Sequence, residues 1–284
     1  MTSRTLQMKK GTRDRKKREL EAAKAEGLHM RWIGTRDLPG AGIKTRMTCM
    51  KTRLREVHLL SSCEHAALLE LWWDENVMTF FEAVPLPPED TQRAALDVGV
   101  EHPKYGAEDE PVVLSTDLVA IYEREGKLQM KAFSVKAYMP GRRGELTPRQ
   151  LIEQRYWERE GVEFKAVVMD GMHSPRSKNL SWLLRAENDM SGRELSTDEQ
   201  RAQTELTRRL RKRLDVIVID ACLRVDKILS LPPGSGARAF RQLAALRRVN
   251  FDLNARDPVQ LPSAQVRVVT SVVTRTGDSH VRKS

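Results

Sequence analysis

Three side chains in this 284-residue chain have types and spacing suited to phosphoryl chemistry: Glu64, Asp117 and Lys136. A hard divalent cation such as Mg²⁺ is held by carboxylate oxygens that leave coordination positions open for water and substrate. Such an ion neutralises phosphate oxygens and acidifies a water, which is what phosphodiester hydrolysis requires. A lysine beside it orients the nucleophile or stabilises the charge that develops. Each residue also has a plainer reading. Glu64 follows Ser61-Ser62-Cys63 and fits the N3 position of a capping box. Asp117 fits a strand end paired with an arginine, and Lys136 fits a side chain snorkelling from a strand edge. Taken singly these readings stay open; the joint placement of the three favours chemistry. Glu64 moreover continues the apolar face of its helix, where a carboxylate without a compensating cation or donor is costly.

The elements that must position these groups can be read from local pattern. Ser61 opens a helix through about Trp73, and Phe80 to Val84 reads as a strand. Pro85, Pro87 and Pro88 then predict an extended segment that ends regular structure. Two strands follow, Val112 to Tyr122 and Leu128 to Tyr138, joined as a hairpin across Glu123-Arg124-Glu125-Gly126-Lys127. Alternation puts Ser134 and Lys136 on one face. Thr147-Pro148 starts a helix carrying Leu151, Ile152, Glu153, Tyr156 and Trp157, which Gly161 stops, and Val162 to Met169 is a further strand. The expected fold class for this part is α+β, a mixed sheet flanked by helices.

Near Met172 to Lys178 the chain turns polar, and the pattern beyond is helical: Asn179 to Met190, Thr197 to Arg213, Asp215 to Leu231 and Ala237 to Val249. Pro232-Pro233-Gly234-Ser235-Gly236 separates the last two, and β-like segments near Phe251 to Leu253 and Gln265 to Arg275 complete a winged-helix-like pattern. The expected organisation is a basic N-terminal arm over 1–30, a catalytic domain over 31–173 and a winged-helix-like domain over 174–284. Arg238, Arg241, Arg247 and Arg248 would line its fourth helix and suit phosphate contacts; a solvated helix face is the plainer reading.

Composition bounds the partners. A formal net charge of +10 favours a polyanion such as DNA. The basic run Lys9 to Lys24 reads as an arm or as a solvated tail. Cys49, Cys63 and Cys222 form no CxxC pair, so neither a zinc cage nor a disulfide framework is expected. No apolar run approaches the ~20 residues that span a bilayer, and a cytoplasmic protein with no membrane partner fits best. His58, His65 and His102 stand in no metal-ligand spacing. Neither a GxxxxGK[ST] loop nor a GxSxG elbow occurs. Tyr156-Trp157 reads as core packing rather than a base-stacking platform.

Asp117 followed by Ser134-Val135-Lys136, with Glu64 on a preceding helix, fits the layout of restriction-type nucleases, and the resemblance extends further. From about Arg31 to Asp170 the chain resembles the TnsA endonucleases of heteromeric transposons. The matching pieces are Val57-His58-Leu59-Leu60-Ser61 with Glu64 and Leu71-Trp72-Trp73; Pro85-Leu86-Pro87; Asp90-Thr91-Gln92; Gly99 and His102-Pro103; Leu114-Ser115-Thr116-Asp117; Val135-Lys136; and Glu153-Gln154-Arg155-Tyr156-Trp157. The resemblance implies a restriction-endonuclease-like core using Mg²⁺, with Mn²⁺ as a substitute. It makes Glu64 and Asp117 the metal-binding carboxylates, Lys136 the active-site lysine and Glu153 a further acidic residue near the metal. Ser134 departs from the family, which has glutamine there, and shifts coordination toward the Val135 backbone carbonyl and water. The implied activity is cleavage at the 5′ ends of a transposon in a bacterial cytoplasm, beside a TnsB-like DDE transposase and a TnsC-like AAA+ ATPase, with the C-terminal domain docking that regulator and touching DNA. A stand-alone restriction or repair nuclease, and a scaffold subunit weakened at Ser134, are the competing classes.

Overall fold

Hydrophobic alternation and β-branched runs build a four-stranded mixed sheet around which the first part of the chain is arranged. The computed structural model describes residues 8–37, 43–53, 55–106, 109–138, 145–212 and 216–269. The chain divides after Leu180 into two compact units. In the first, helix α1 (Lys10–Ala25) precedes strands β1 (Thr45–Met47) and β2 (Val57–Leu59), helix α2 (Ser62–Trp73), strand β3 (Val77–Pro85) and helix α3 (Pro88–Asp97). Short strands β4 (Lys104–Tyr105) and β5 (Glu110–Pro111) lead to β6 (Ser115–Arg124), β7 (Lys127–Ala137), helix α4 (Pro148–Arg159) and β8 (Glu163–Met169).

The sheet order is β3-β6-β7-β8. β3, β6 and β7 pair antiparallel, and β7 pairs parallel with β8 across the α4 crossover. The β6–β7 hairpin turns on two residues, Glu125 and Gly126, at φ 53° and 73°. Two successive left-handed residues make the tight turn whose twist matches the strands, shorter than the five-residue turn expected. α3 and α4 cover one face through Ala94, Ala95, Ile152 and Trp157, packed on Val119 and Ala132.

The segment after Pro85 differs from its expectation. Pro88 stands at the first helical position of α3, where its missing N–H costs nothing, and Glu89 and Asp90 follow in the first turn. Val112 to Leu114, expected as strand, lie outside β6 and bond elsewhere: Val112 N–H to the Pro103 carbonyl and Leu86 N–H to the Leu114 carbonyl. Most of the basic run read as an arm forms α1. Its Arg13 and Lys16 are buried, Arg13 against Glu110 at 3.0 Å and over the Tyr105 ring, Lys16 against Asp37 at 2.8 Å. Residues 1–7 lie outside the described residues.

Helix α5 (Pro175–Met190) contains the division between the units. The second unit continues with α6 (Thr197–Arg211), α7 (Val218–Leu229), α8 (Ser235–Ala245) and a small antiparallel ladder of β9 (Val249–Asn250) and β10 (Arg267–Val268). Its core gathers Leu206, Val218, Cys222, Val225, Phe240 and Leu243. α8 ends at Ala245, four residues before its expected end, because Val249 is drawn into the ladder. Arg247 and Arg248 therefore lie beyond the helix. Arg213, Asp215 and 270–275, which the sequence reading included in its helices and last strand, lie outside the described residues. Among the described residues no helix is long and apolar enough to cross a membrane.

Candidate active site

Ser61 fixes Glu64 by local chemistry. Its hydroxyl accepts the Glu64 N–H at 3.1 Å, capping α2 as the sequence pattern suggests. The Glu64 carboxylate turns back over the helix start, accepting the Leu60 N–H at 2.8 Å and the Ser61 hydroxyl at 2.9 Å. The capping reading of Glu64 is thus physically present, with the return bond coming from Leu60 rather than from the cap residue. It does not make the carboxylate comfortable. Burial first, and then the negative charge of Asp117, push Glu64 up to about 7 despite those two bonds and the opposing charge of Lys136.

Asp117 sits where β6 and β7 part. Their ladder begins at Leu118↔Phe133, so Asp117 on β6 and Val135 on β7 lie beyond it. The Asp117 carboxylate bridges that gap by accepting the Val135 N–H at 2.7 Å. The Lys136 ammonium group stands 4.0 Å from the same oxygen and is 45% exposed, against 22% for Asp117. Glu64, Asp117 and Lys136, from a helix and two strands, are thereby brought into one electrostatic neighbourhood.

Ala132, Ser134 and Lys136 alternate onto the face that α4 covers. Ser134 is fully buried and accepts a hydrogen bond from Gln150 at 3.3 Å. Gln150 is itself held in a capping box with Thr147 at the start of α4. Glu153, one turn on, is 1% exposed and pushed up to about 7 by burial, which outweighs the nearby Arg149 charge. Its oxygens accept from Arg149 Nε at 2.9 Å and from the Thr116 hydroxyl at 3.3 Å, and Thr116 takes the Trp157 indole N–H at 2.8 Å. Trp157 packs edge-on with Tyr156 in the core.

Arg149 escaped the sequence reading. Burial lowers its pKa, and the charges of Glu153, Asp117 and Glu64 reverse that and raise it. It also donates to the Ser115 carbonyl at 2.5 Å. The available signal was the i,i+4 spacing of Arg149 and Glu153 on a helix already expected to face the strands. Among the described residues, no three acidic, histidine or cysteine side chains form a group that could hold a metal ion. Glu64 and Asp117 are nevertheless near enough for the Asp117 charge to act on Glu64. A buried carboxylate held up by a neighbouring negative charge fits a divalent cation, which removes the repulsion that protonation otherwise relieves.

The four arginines of the second unit divide. Arg238 and Arg248 are exposed. Arg241 donates to the Trp182 carbonyl at 2.8 Å and lies 5.6 Å from that ring's centre, and Arg247 takes the left-handed conformation at φ 55° past the end of α8. His102 is packed between Thr91 and the Pro103 carbonyl, as a structural imidazole should be.

A mixed sheet carrying Asp117 and Lys136, with Glu64 on an adjoining helix and a helical unit following, defines an α+β protein with a charged polar site. Two comparisons relate the chain to known proteins. The family model described as TnsA endonuclease C terminal matches residues 173–253. The chain is also 27% identical to the transposon Tn7 transposition protein TnsA of Escherichia coli over 222 residues, 78% of each chain. Both matches are to TnsA proteins, the first confined to the second part of the chain and the second at 27% identity over most of it.

Proposed function

We propose that this chain is a metal-dependent DNA endonuclease that cuts the 5′ ends of a transposon during cut-and-paste transposition, with a restriction-endonuclease-like first unit as its catalytic part. The observation that carries the reading is the Asp117 carboxylate, held by the Val135 N–H, 4.0 Å from the Lys136 ammonium group and charging against Glu64. Glu64 and Asp117 would hold Mg²⁺ or Mn²⁺, with the Val135 carbonyl as a further oxygen donor. When bound, the ion supplies neutralisation of the scissile phosphate and acidification of a water. Lys136, half-exposed at the strand end, supplies a positive charge to orient the attacking water and to stabilise the phosphorane-like charge. Ser61 and the Leu60 N–H hold Glu64 in place before substrate arrives, and the Val135 N–H does so for Asp117.

The family and the named relative support a division of labour in which a TnsB-like DDE transposase acts on the other strand and a TnsC-like AAA+ ATPase regulates both. The second unit, with the later part of α5, then α6, α7, α8 and a two-stranded ladder among its described residues, is read as a winged-helix-like module for DNA and for that regulator. Arg238 and Arg248 are its accessible phosphate contacts. Transposon-end DNA labelled on each strand tests the reading. With Mg²⁺ and both partner proteins, wild type should nick the 5′-ended strands and Asp117→Asn should not. Cutting of plain DNA without partners would instead mark a stand-alone nuclease. Intact DNA under every condition, with no metal taken up, would mark a scaffold subunit.

A further inference from the structure

Glu153 and Arg149 form a close ion pair at 2.9 Å within the acidic neighbourhood, beside the longer 4.0 Å approach of Lys136 to Asp117. We propose that Arg149 withdraws Glu153 from metal binding and supplies, as a fixed charge, what a second cation would supply, so that the site holds a single divalent ion between Glu64 and Asp117. The inference rests on the metal-dependent reading above and deepens it.

Both Glu153 oxygens are occupied, one by Arg149 and one by Thr116, and the side chain is 1% exposed. A catalytic ion needs ligands that leave room for water and substrate, which an enclosed carboxylate does not give. Arg149 is anchored at both ends of its guanidinium, to Glu153 at 2.9 Å and to the Ser115 carbonyl at 2.5 Å, so it cannot leave without breaking two charge-assisted hydrogen bonds. Ser134 offers no replacement donor, since it is buried and bound to Gln150.

Charge counting points the same way. With all three carboxylates ionised, Glu64, Asp117 and Glu153 set against Lys136 and Arg149 leave one net negative charge. One divalent ion turns that into one net positive charge, suited to a phosphodiester. A second would place a dication against a guanidinium in a poorly solvated site, where like charges repel far more strongly than in water. Arg149 is thus a positioning residue: it acts on the ion count through Glu153.

Mn²⁺ titration of the full chain, read by the loss of the free-ion paramagnetic resonance signal, decides the matter without any activity assay. Wild type should take up one Mn²⁺ per chain. Glu153→Gln should still take up one, and Arg149→Lys likewise, because a cation still holds Glu153. Arg149→Met should free Glu153 and admit a second ion; should that variant fail to fold, the wild-type count and Glu153→Gln decide. Two ions in wild type, or loss of the ion in Glu153→Gln, would overturn the role of Arg149 while leaving a metal nuclease in place. No ion in wild type, with Asp117→Asn unchanged from it, would overturn the metal-dependent reading and the inference with it.

Discussion

Asp117 has two duties that a substitution can separate. It accepts the Val135 N–H where β6 and β7 part, and it presents charge beside Lys136 and Glu64. Asp117→Ala removes both and orphans a backbone donor, at about 1–3 kcal/mol. Asp117→Asn keeps an acceptor and removes the charge, so strand cutting should fall by about 100-fold or more with the melting temperature nearly unchanged. Equal loss of stability in the two variants would contradict the bond to Val135. Glu64 and Glu153 predict a pH-dependent stability, and Glu64 a pH-dependent metal affinity. Both are raised from 4.5 to about 7, so the folded chain binds their protons more tightly than the unfolded chain. Their contribution to stability is fully present below pH 4.5 and is lost as pH rises through about 7. His29 runs the other way: burial lowers it to about 4, and its contribution is lost as pH falls from 6.5 toward that value. The clean observable is therefore the rise in melting temperature on adding Mg²⁺ or Mn²⁺ at each pH. It should be a few degrees at pH 8 and vanish near pH 5, where protons hold Glu64; a shift independent of pH would refute the coupling of Glu64 to Asp117.

At the scale of elements, the helices of the second unit depend on one close approach. A Cβ on Gly236 would lie 2.3 Å from the Cys222 carbonyl oxygen, and the Gly234 and Gly236 N–H groups both donate to Asp226 on α7. Gly236→Ala should therefore cost about 1–3 kcal/mol or more, seen as a lower urea midpoint; an unchanged midpoint would mean the α7–α8 contact yields freely. Much of this organisation was legible in the sequence. The strand pattern, the Thr147-Pro148 helix start and the Ser61 cap each speak through neighbours close in the chain, and the structure bears those starts out. What escaped depends on distance or context. Proline reads as a breaker unless one knows it stands at the first helical position, so α3 was missed. Arg149 was missed because its partners, Glu153 apart, come from Ser115, Asp117 and Glu64, which only the folded sheet brings near. The end of α8 was overrun because the β9–β10 ladder that claims Val249 closes with residues 267 and 268.

The molecule as a whole carries a net charge of +10, which favours a polyanion such as DNA. If phosphates are bound by side chains such as Arg238 and Arg248, counterion release makes DNA affinity fall steeply with salt, by a log–log slope of about −0.9 for each phosphate neutralised. Binding of duplex DNA followed between low and moderate salt should show that slope, and the paired substitution Arg238→Ala with Arg248→Ala should reduce it by up to about two. A flat salt response would mean that protein partners alone bring the chain to DNA. The proposed chemistry turns on whether Glu64 and Asp117 share a cation beside Lys136. Crystals of the full chain soaked in Mn²⁺ and measured at the manganese absorption edge answer that directly. An anomalous peak bonded to both carboxylates is expected in wild type and none in Asp117→Asn. A wild-type map with no peak between Glu64 and Asp117, or a peak held elsewhere and unaffected by Asp117→Asn, would contradict it.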